Sequence, residues 1–130
     1  MSGFPEKILI IDDDHALLEV EELALKRIGD IEVQLCDSCD QAVTAIENFT
    51  PELILLDLKM PDKDGTEAVR ELRKIEKISG TPIIFVTGEH RVIMQDDYKV
   101  LGVIGIIYKP FKPSDFITGI QDLWHMFQNP

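Results

Sequence analysis

Four short runs of consecutive apolar residues punctuate the chain: Ile8–Ile11, Leu53–Leu56, Ile83–Val86 and, interrupted by Gly105, Val103–Tyr108. A strand reads this way, without alternation, when both faces of its sheet are covered, so the runs predict buried parallel strands. A fifth segment differs. Ile31, Val33 and Leu35 alternate with Glu32 and Gln34, the pattern of a half-exposed strand, which belongs at a sheet edge.

Helical patterns fill the gaps. Leu17, Val20, Leu23, Ala24 and Ile28 recur at three- and four-residue steps and stop at Gly29, predicting a first helix with that face inward. Ser38 or Asp37 can cap a second helix carrying Ala42, Ala45, Ile46 and Phe49, and Asp64 a third carrying Ala68, Val69, Leu72 and Ile75. Val92 to Leu101 forms a weaker fourth pattern. Pro113 opens a fifth, in which Phe116, Ile120, Leu123 and Phe127 share a face beside Ile117 and Trp124. Strand and helix alternate throughout with no linker, repeat or low-complexity stretch, which predicts an α/β domain of (βα)5 type spanning residues 1–130. A chain of 130 residues, 45% of them hydrophobic, suits one core and one domain.

Charge narrows the partners. Asp and Glu number 24 against 13 Lys and Arg, and a net charge of -11 disfavours direct contact with nucleic acid or an anionic membrane surface. No apolar run is long enough to cross a bilayer, and the N-terminal MSGFPEK lacks the apolar core of a signal peptide, so a soluble, cytoplasmic protein is expected. Cys36 and Cys39 form a C-x-x-C pair, but there is no second Cys pair and the three His are scattered, so both read as core or surface thiols rather than metal ligands.

The polar residues that end the apolar runs carry the chemistry. The first run closes on Asp12, Asp13 and Asp14, the Leu53–Leu56 run on Asp57, the next on Thr87, and the last on Lys109. Parallel strands share one carboxyl edge, where open α/β sheets bind their ligands, so these groups converge. Clustered carboxylates repel unless some are protonated or a cation sits among them. Mg2+ suits such a cluster, being oxygen-liganded and content with one or two carboxylates, and Mn2+ can substitute. A carboxylate beside such a metal can act as a nucleophile on phosphorus, with the Thr87 hydroxyl and the Lys109 ammonium stabilising phosphoryl oxygens. Asp14 reads as a solvated residue or a cap of the first helix, with a secondary metal role as the equal alternative.

In order, ILIIDDDHALLE, LILLDLKMPDKDG, IIFVTG and IIYKPFKP resemble the motifs of the receiver domain of two-component response regulators, the CheY-like superfamily, over nearly the whole chain. That resemblance implies a flavodoxin-like, doubly wound five-stranded parallel sheet of order 2-1-3-4-5 with helices on both faces. It implies that Asp57 accepts a phosphoryl group from a phosphohistidine on a sensor histidine kinase or histidine phosphotransfer protein. Asp13, Asp57 and the Lys59 backbone carbonyl would hold Mg2+, with Asp12 assisting through water. Thr87 and Lys109 would contact the phosphoryl group, and the Lys109–Pro110 bond would be cis. It further implies a signalling phosphoacceptor rather than a metabolic enzyme, acting on a downstream target or fused output domain, with a phosphorylation-dependent homodimer as one outcome. Only the final helix follows Lys109, so no output domain is expected in this chain.

The sequence departs from the family at one place. Ile106 stands three residues before the lysine, where the family often carries Tyr or Phe, and Tyr108 lies two residues on, facing the same way in a strand. Signalling through the segment from Gly88 to Leu101, or through Tyr108, is expected instead of a swinging ring at position 106. Gly88 leaves the cleft open, and Lys59 and Glu89 flank the path of water toward a phosphorylated Asp57. Two rivals stand beside this reading. One is a phosphate-free interaction module of the same fold. The other is a haloacid-dehalogenase-type phosphatase built on Asp12-x-Asp14 with Asp96 and Asp97, which lacks the usual threonine at Ala16.

Overall fold

The computed structural model describes residues 3–61, 63–90 and 94–130. Five strands, β1 (Lys7–Ile11), β2 (Glu32–Cys36), β3 (Leu53–Leu56), β4 (Ile83–Thr87) and β5 (Val103–Tyr108), form one sheet. All neighbours pair in parallel, in the order β2-β1-β3-β4-β5. Five helices separate them: α1 (His15–Lys26), α2 (Cys39–Ile46), α3 (Gly65–Leu72), α4 (Asp96–Val100) and α5 (Pro113–Gln128), with a 3-10 turn at Glu76–Ile78. The chain steps from β1 outward to β2, then back across to β3. This reversal opens a crevice at the carboxyl ends of β1 and β3.

Strand alternation divides the core in two. Leu9, Ile11, Ile54, Leu56 and Phe85 point to the face covered by α2 and α3. Ile8, Ile10, Leu53, Leu55 and Ile84 point to the face covered by α1 and α5. Each aliphatic side chain buried completely in these layers contributes roughly 1.5–3 kcal/mol through removal from water. Cys36 and Cys39 are both buried in the first layer and form no disulfide, as expected of core cysteines.

Local chemistry sets the helix starts. Asp14, Ser38 and Asp64 are the N-caps of α1, α2 and α3, and their side-chain oxygens accept from the N–H groups of Leu17, Gln41 and Glu67. Each satisfies a donor that the first helical turn leaves unpaired. Gly65 opens α3 because the backbone passes close to the segment after β3. Its N–H donates to the Leu58 carbonyl at 2.6 Å, and a Cβ there would lie 2.7 Å from Leu58 Cα.

Four expectations change. In α1 the inward face is Leu18, Glu21, Ala24 and Leu25, whereas Val20, Leu23 and Ile28 are exposed, and the helix ends at Lys26 before reaching Gly29. The sequence offers two overlapping apolar stripes there, and it is the second, with Leu18, Ala24 and Leu25, that packs into the layer with Ile8, Ile10 and Phe116. In α5 the buried stripe is Phe116, Ile120 and Trp124, while Phe127, beside the Trp124 ring, is partly open to solvent at 42% exposure. The last run is not wholly buried, because β5 is the second edge: Ile104 and Ile106 are half-buried and Tyr108 is exposed. Its register shifts between Ile83 and Ile84, leaving Ile104 unpaired in the ladder. The fourth helix begins at Asp96. The start expected at Val92 lies outside the described residues.

Candidate functional site

The carboxyl edge of the sheet gathers the polar residues that close the apolar runs. Asp12 follows β1 and is 2% exposed; Asp57 follows β3 and is 7% exposed; Thr87 ends β4 and is 1% exposed. Strand pairing continues into these residues and so holds their backbones. Asp12 N–H donates to Cys36 O, Asp57 N–H to Ile11 O, and Lys109 N–H to Thr87 O at 2.7 Å. Each side chain therefore stands on a rigid element rather than on a free loop.

Carboxylate oxygens of Asp12, Asp13 and Asp57 lie within 4.8 Å of one another. Into this group reaches Lys109, whose Nζ is 2.7 Å from Asp12 Oδ2 and 3.4 Å from Asp57 Oδ2. The opposite oxygens are held by backbone: Asp12 Oδ1 accepts from Asp14 N–H at 2.9 Å, and Asp57 Oδ1 from Lys59 N–H at 3.2 Å. A carboxylate oxygen carries two lone-pair positions, so every one of these oxygens keeps capacity for a further partner.

The electrostatics are strained in the direction that favours a cation. Burial, and then the charge of Asp12, push the Asp57 carboxyl above its ordinary value; Lys109 and the Lys59 N–H oppose this only in part. For Lys109, burial alone would lower the ammonium, but the hydrogen bond to Asp12 and the charges of Asp12 and Asp57 outweigh it and raise the group. The lysine is thus locked as a cation between two acids.

Beside Asp57 opens a cavity of about 310 Å³ lined by Asp57, Lys59, Thr87, Gly88, Glu89 and Lys109. The Thr87 hydroxyl accepts from Glu89 N–H at 3.0 Å and keeps its own proton for another acceptor. An ion pair crosses the mouth: Lys59 Nζ stands 3.2 Å from Glu89 Oε2. Pro110 follows a cis peptide bond after Lys109. Asp14 caps α1, its Oδ1 accepting from Leu17 N–H at 3.1 Å.

Ile106 and Tyr108 lie outside this cleft. Ile106 is half-buried against the layer that contains Phe85, its register partner. Tyr108 pairs in register with Thr87, and its ring stacks on His90 at 5.5 Å between centroids. Asp96 and Asp97 open α4 and are exposed, away from any strand end, which is the wrong setting for a phosphatase metal pair. Sequence reasoning passed over two residues. Glu21 is a buried acid on α1, and its only signal was its place between Leu18 and Leu25 at helical spacing. Arg73, at the end of α3, spans three backbone carbonyls.

Comparison with known proteins agrees with this geometry. The family model of the response regulator receiver domain matches residues 8–121. The DNA-binding response regulator MtrA of Mycobacterium tuberculosis is 31% identical over 121 residues, which cover 93% of this chain and 51% of that protein. The chain thus spans about half the length of the curated relatives it matches. Among solved structures, the chemotaxis response regulator CheY4 of Vibrio cholerae superposes with a TM-score of 0.80 at 26% identity, covering 90% of this chain and 97% of that one. A CheY-like receiver domain protein of Methanospirillum hungatei gives 0.78 at 29% identity, covering 95% and 97%. With a family model that runs from β1 into α5 and a sheet order that the fold shares, this chain belongs to the response regulator receiver domain family.

Proposed function

We propose that Asp57 accepts a phosphoryl group from a phosphohistidine of a sensor histidine kinase or a histidine phosphotransfer protein. The observation that carries this is the convergence of Asp12, Asp13, Thr87 and Lys109 around Asp57 at the edge of an open cavity. A carboxylate oxygen of Asp57 attacks phosphorus, the phosphorus–nitrogen bond to the donor imidazole breaks, and the leaving imidazole takes a proton from solvent. Lys109, freed from part of its hold on Asp57, and the Thr87 hydroxyl stabilise the phosphoryl oxygens. Water later attacks the same phosphorus, restoring the carboxylate and releasing inorganic phosphate. The reaction serves signalling rather than metabolism.

The donor set suits a hard dication: three carboxylates within reach of one another, with oxygens able to take a second partner. Asp13, Asp57 and the Lys59 carbonyl would hold Mg2+, with Asp12 assisting through water, and Mn2+ would substitute. When bound, the ion supplies positive charge that offsets the phosphoryl oxygens.

The phosphorylated domain would then act through α4 and β5 on a downstream protein, an attached output domain or a second copy. None of the described helices is long and apolar enough to cross a membrane. DNA binding, named for the longer relatives, is not proposed for this acidic domain. The test is incubation with acetyl phosphate and Mg2+, followed by mass spectrometry. A single hydroxylamine-labile phosphoryl adduct that is absent from Asp57→Asn supports the reading. No adduct at any Mg2+ concentration would favour the phosphate-free interaction module.

A further inference from the structure

Among the described residues, one acidic side chain is sealed inside the fold without a hydrogen-bond partner. Glu21, midway along α1, is 1% exposed, and neither of its carboxyl oxygens has a hydrogen-bond partner. It occupies the inward face with Leu18, Ala24 and Leu25, where an aliphatic residue would satisfy packing at no electrostatic cost. The charged groups that act on it come from the cleft: Asp12 after β1, Asp57 after β3, Lys109 after β5, and Asp14 at the head of its own helix. Helix α5, packed along α1, buries Phe116, Ile120 and Trp124, and none of them carries charge.

An ionised carboxylate without a partner in such a place is expensive, whereas the neutral acid is tolerated. Burial first, and the Asp12 charge second, raise Glu21 to about 8, against the opposing pull of Lys109. The group therefore keeps its proton at neutral pH while the cleft holds only its own charges. No hydrogen bond joins it to Asp12, Asp13 or Asp57. Its link to them is through space, and any positive charge added to the cleft acts on it in the same manner as Lys109.

We infer that Glu21 is a proton-carrying partner of the acidic cleft, neutral when the cleft is empty of cation and ionised when a divalent ion binds among Asp12, Asp13 and Asp57. This rests on the cation-binding reading above and adds a regulatory consequence to it. Binding breaks the Glu21 O–H bond, leaves the carboxylate in place and delivers one proton to solvent. By linkage, Mg2+ affinity must then rise with pH through the range in which Glu21 titrates, and Mg2+ must lower the pH at which Glu21 ionises.

The experiment uses the full chain with carboxyl-labelled glutamate, followed by carbon NMR across about pH 5 to 9, with and without saturating Mg2+, a window set by the ordinary and raised carboxyl values. The Glu21 resonance is expected to titrate near 8 without the ion and about one unit or more lower with it. Calorimetry in two buffers of different ionisation enthalpy should show proton release on Mg2+ binding near neutral pH. That release should be lost in Glu21→Gln, an isosteric mimic of the neutral acid, and in Glu21→Met, which keeps the inference testable should one variant fold poorly. A Glu21 midpoint that ignores Mg2+, or proton release unchanged in both variants, would overturn the inference while leaving the metal site intact. Absence of any Mg2+ binding to the wild-type chain would remove the metal reading and this one together.

Discussion

The ammonium of Lys109 stands 2.7 Å from Asp12 Oδ2 and holds together two strand ends that are 97 residues apart in sequence. It is the counter-charge for a pair of buried acids. Lys109→Met should therefore raise the Asp57 carboxyl further, because burial and Asp12 already push it up and Lys109 opposes them. For a carboxyl raised by folding, the penalty is absent in acid and appears as pH climbs past the unfolded value. The variant should accordingly be least stable, relative to wild type, at neutral pH, and should approach it as the pH falls toward 4. Urea unfolding at several pH values reads this directly. Added Mg2+ should restore part of the loss.

The Lys59–Glu89 ion pair spans the mouth of the cavity beside Asp57, with its lysine side chain 77% exposed. Such a pair adds little to stability, about 0–1 kcal/mol. Its effect is expected on access. Removing both partners in Lys59→Ala, Glu89→Ala protein should open the approach for water and shorten the lifetime of phosphorylated Asp57 several-fold, with unfolding midpoints nearly unchanged. Identical decay curves for the variant and wild type would dismiss a gating role.

Glu21 makes a prediction about stability that does not involve metal. Its carboxyl is raised from 4.5 to about 8 in the fold. The cost of keeping it buried is absent below the unfolded value, grows as pH rises between the two, and is complete above the folded value. At pH 7 it amounts to about 3 kcal/mol. Glu21→Met should recover a gain of that order in metal-free buffer at pH 7. The gain should be larger at pH 8 and near zero at pH 4. A difference between the two proteins that does not vary with pH would mean that Glu21 ionises in the fold as readily as in the unfolded chain, its charge held by a partner or by water.

Much of this molecule is legible in its sequence because β1, β3 and β4 are covered on both faces, so their runs carry no ambiguity and end where the site begins. Asp12, Asp57 and Thr87 were readable for the same reason, each being the first polar residue of a buried run, and Asp13 and Lys109 because they stand at the same carboxyl edge. The phase of α1 was not. Leu17, Val20 and Leu23 make as good a stripe as Leu18 and Leu25, and Glu21, being charged, argued for the wrong one. The stack of Tyr108 on His90 joins a strand edge to the loop after β4, a contact that no periodicity encodes.

Arg73 ties down the C-terminal end of α4. Its guanidinium donates to Leu101 O at 2.7 Å, and to Ile78 O and Thr81 O, so one side chain joins the C-cap of α4, the 3-10 turn and the entry to β4. Gly102, with φ of 82°, passes so close that a Cβ would lie 2.6 Å from Arg73 Nη2. Arg73→Met should leave three carbonyls short of a charged donor and destabilise the domain by about 2–4 kcal/mol. Amide exchange should quicken first around Leu101 and Gly102. Arg73→Lys, able to serve only part of this fan, should fall between the two.

Ile106 occupies the place where the family often has an aromatic ring, and it packs against the layer around Phe85. The aromatic contact to Phe85 comes from Tyr98 of α4, edge-on at 5.1 Å. Tyr108 is joined to Thr87 by register and to the following loop through His90, so a shift of the Thr87 segment reaches it by two routes. Truncation of Ile106 should therefore cost packing, about 2 kcal/mol, without silencing the domain. Ile106→Ala should retain the amide shifts that acetyl phosphate and Mg2+ induce in α4 and β5. Tyr108→Leu should diminish the shifts in α4 while preserving phosphorylation of Asp57. Full loss of the response in Ile106→Ala, with Tyr108→Leu unaffected, would return the switch to position 106 and exclude the stacked pair as its relay.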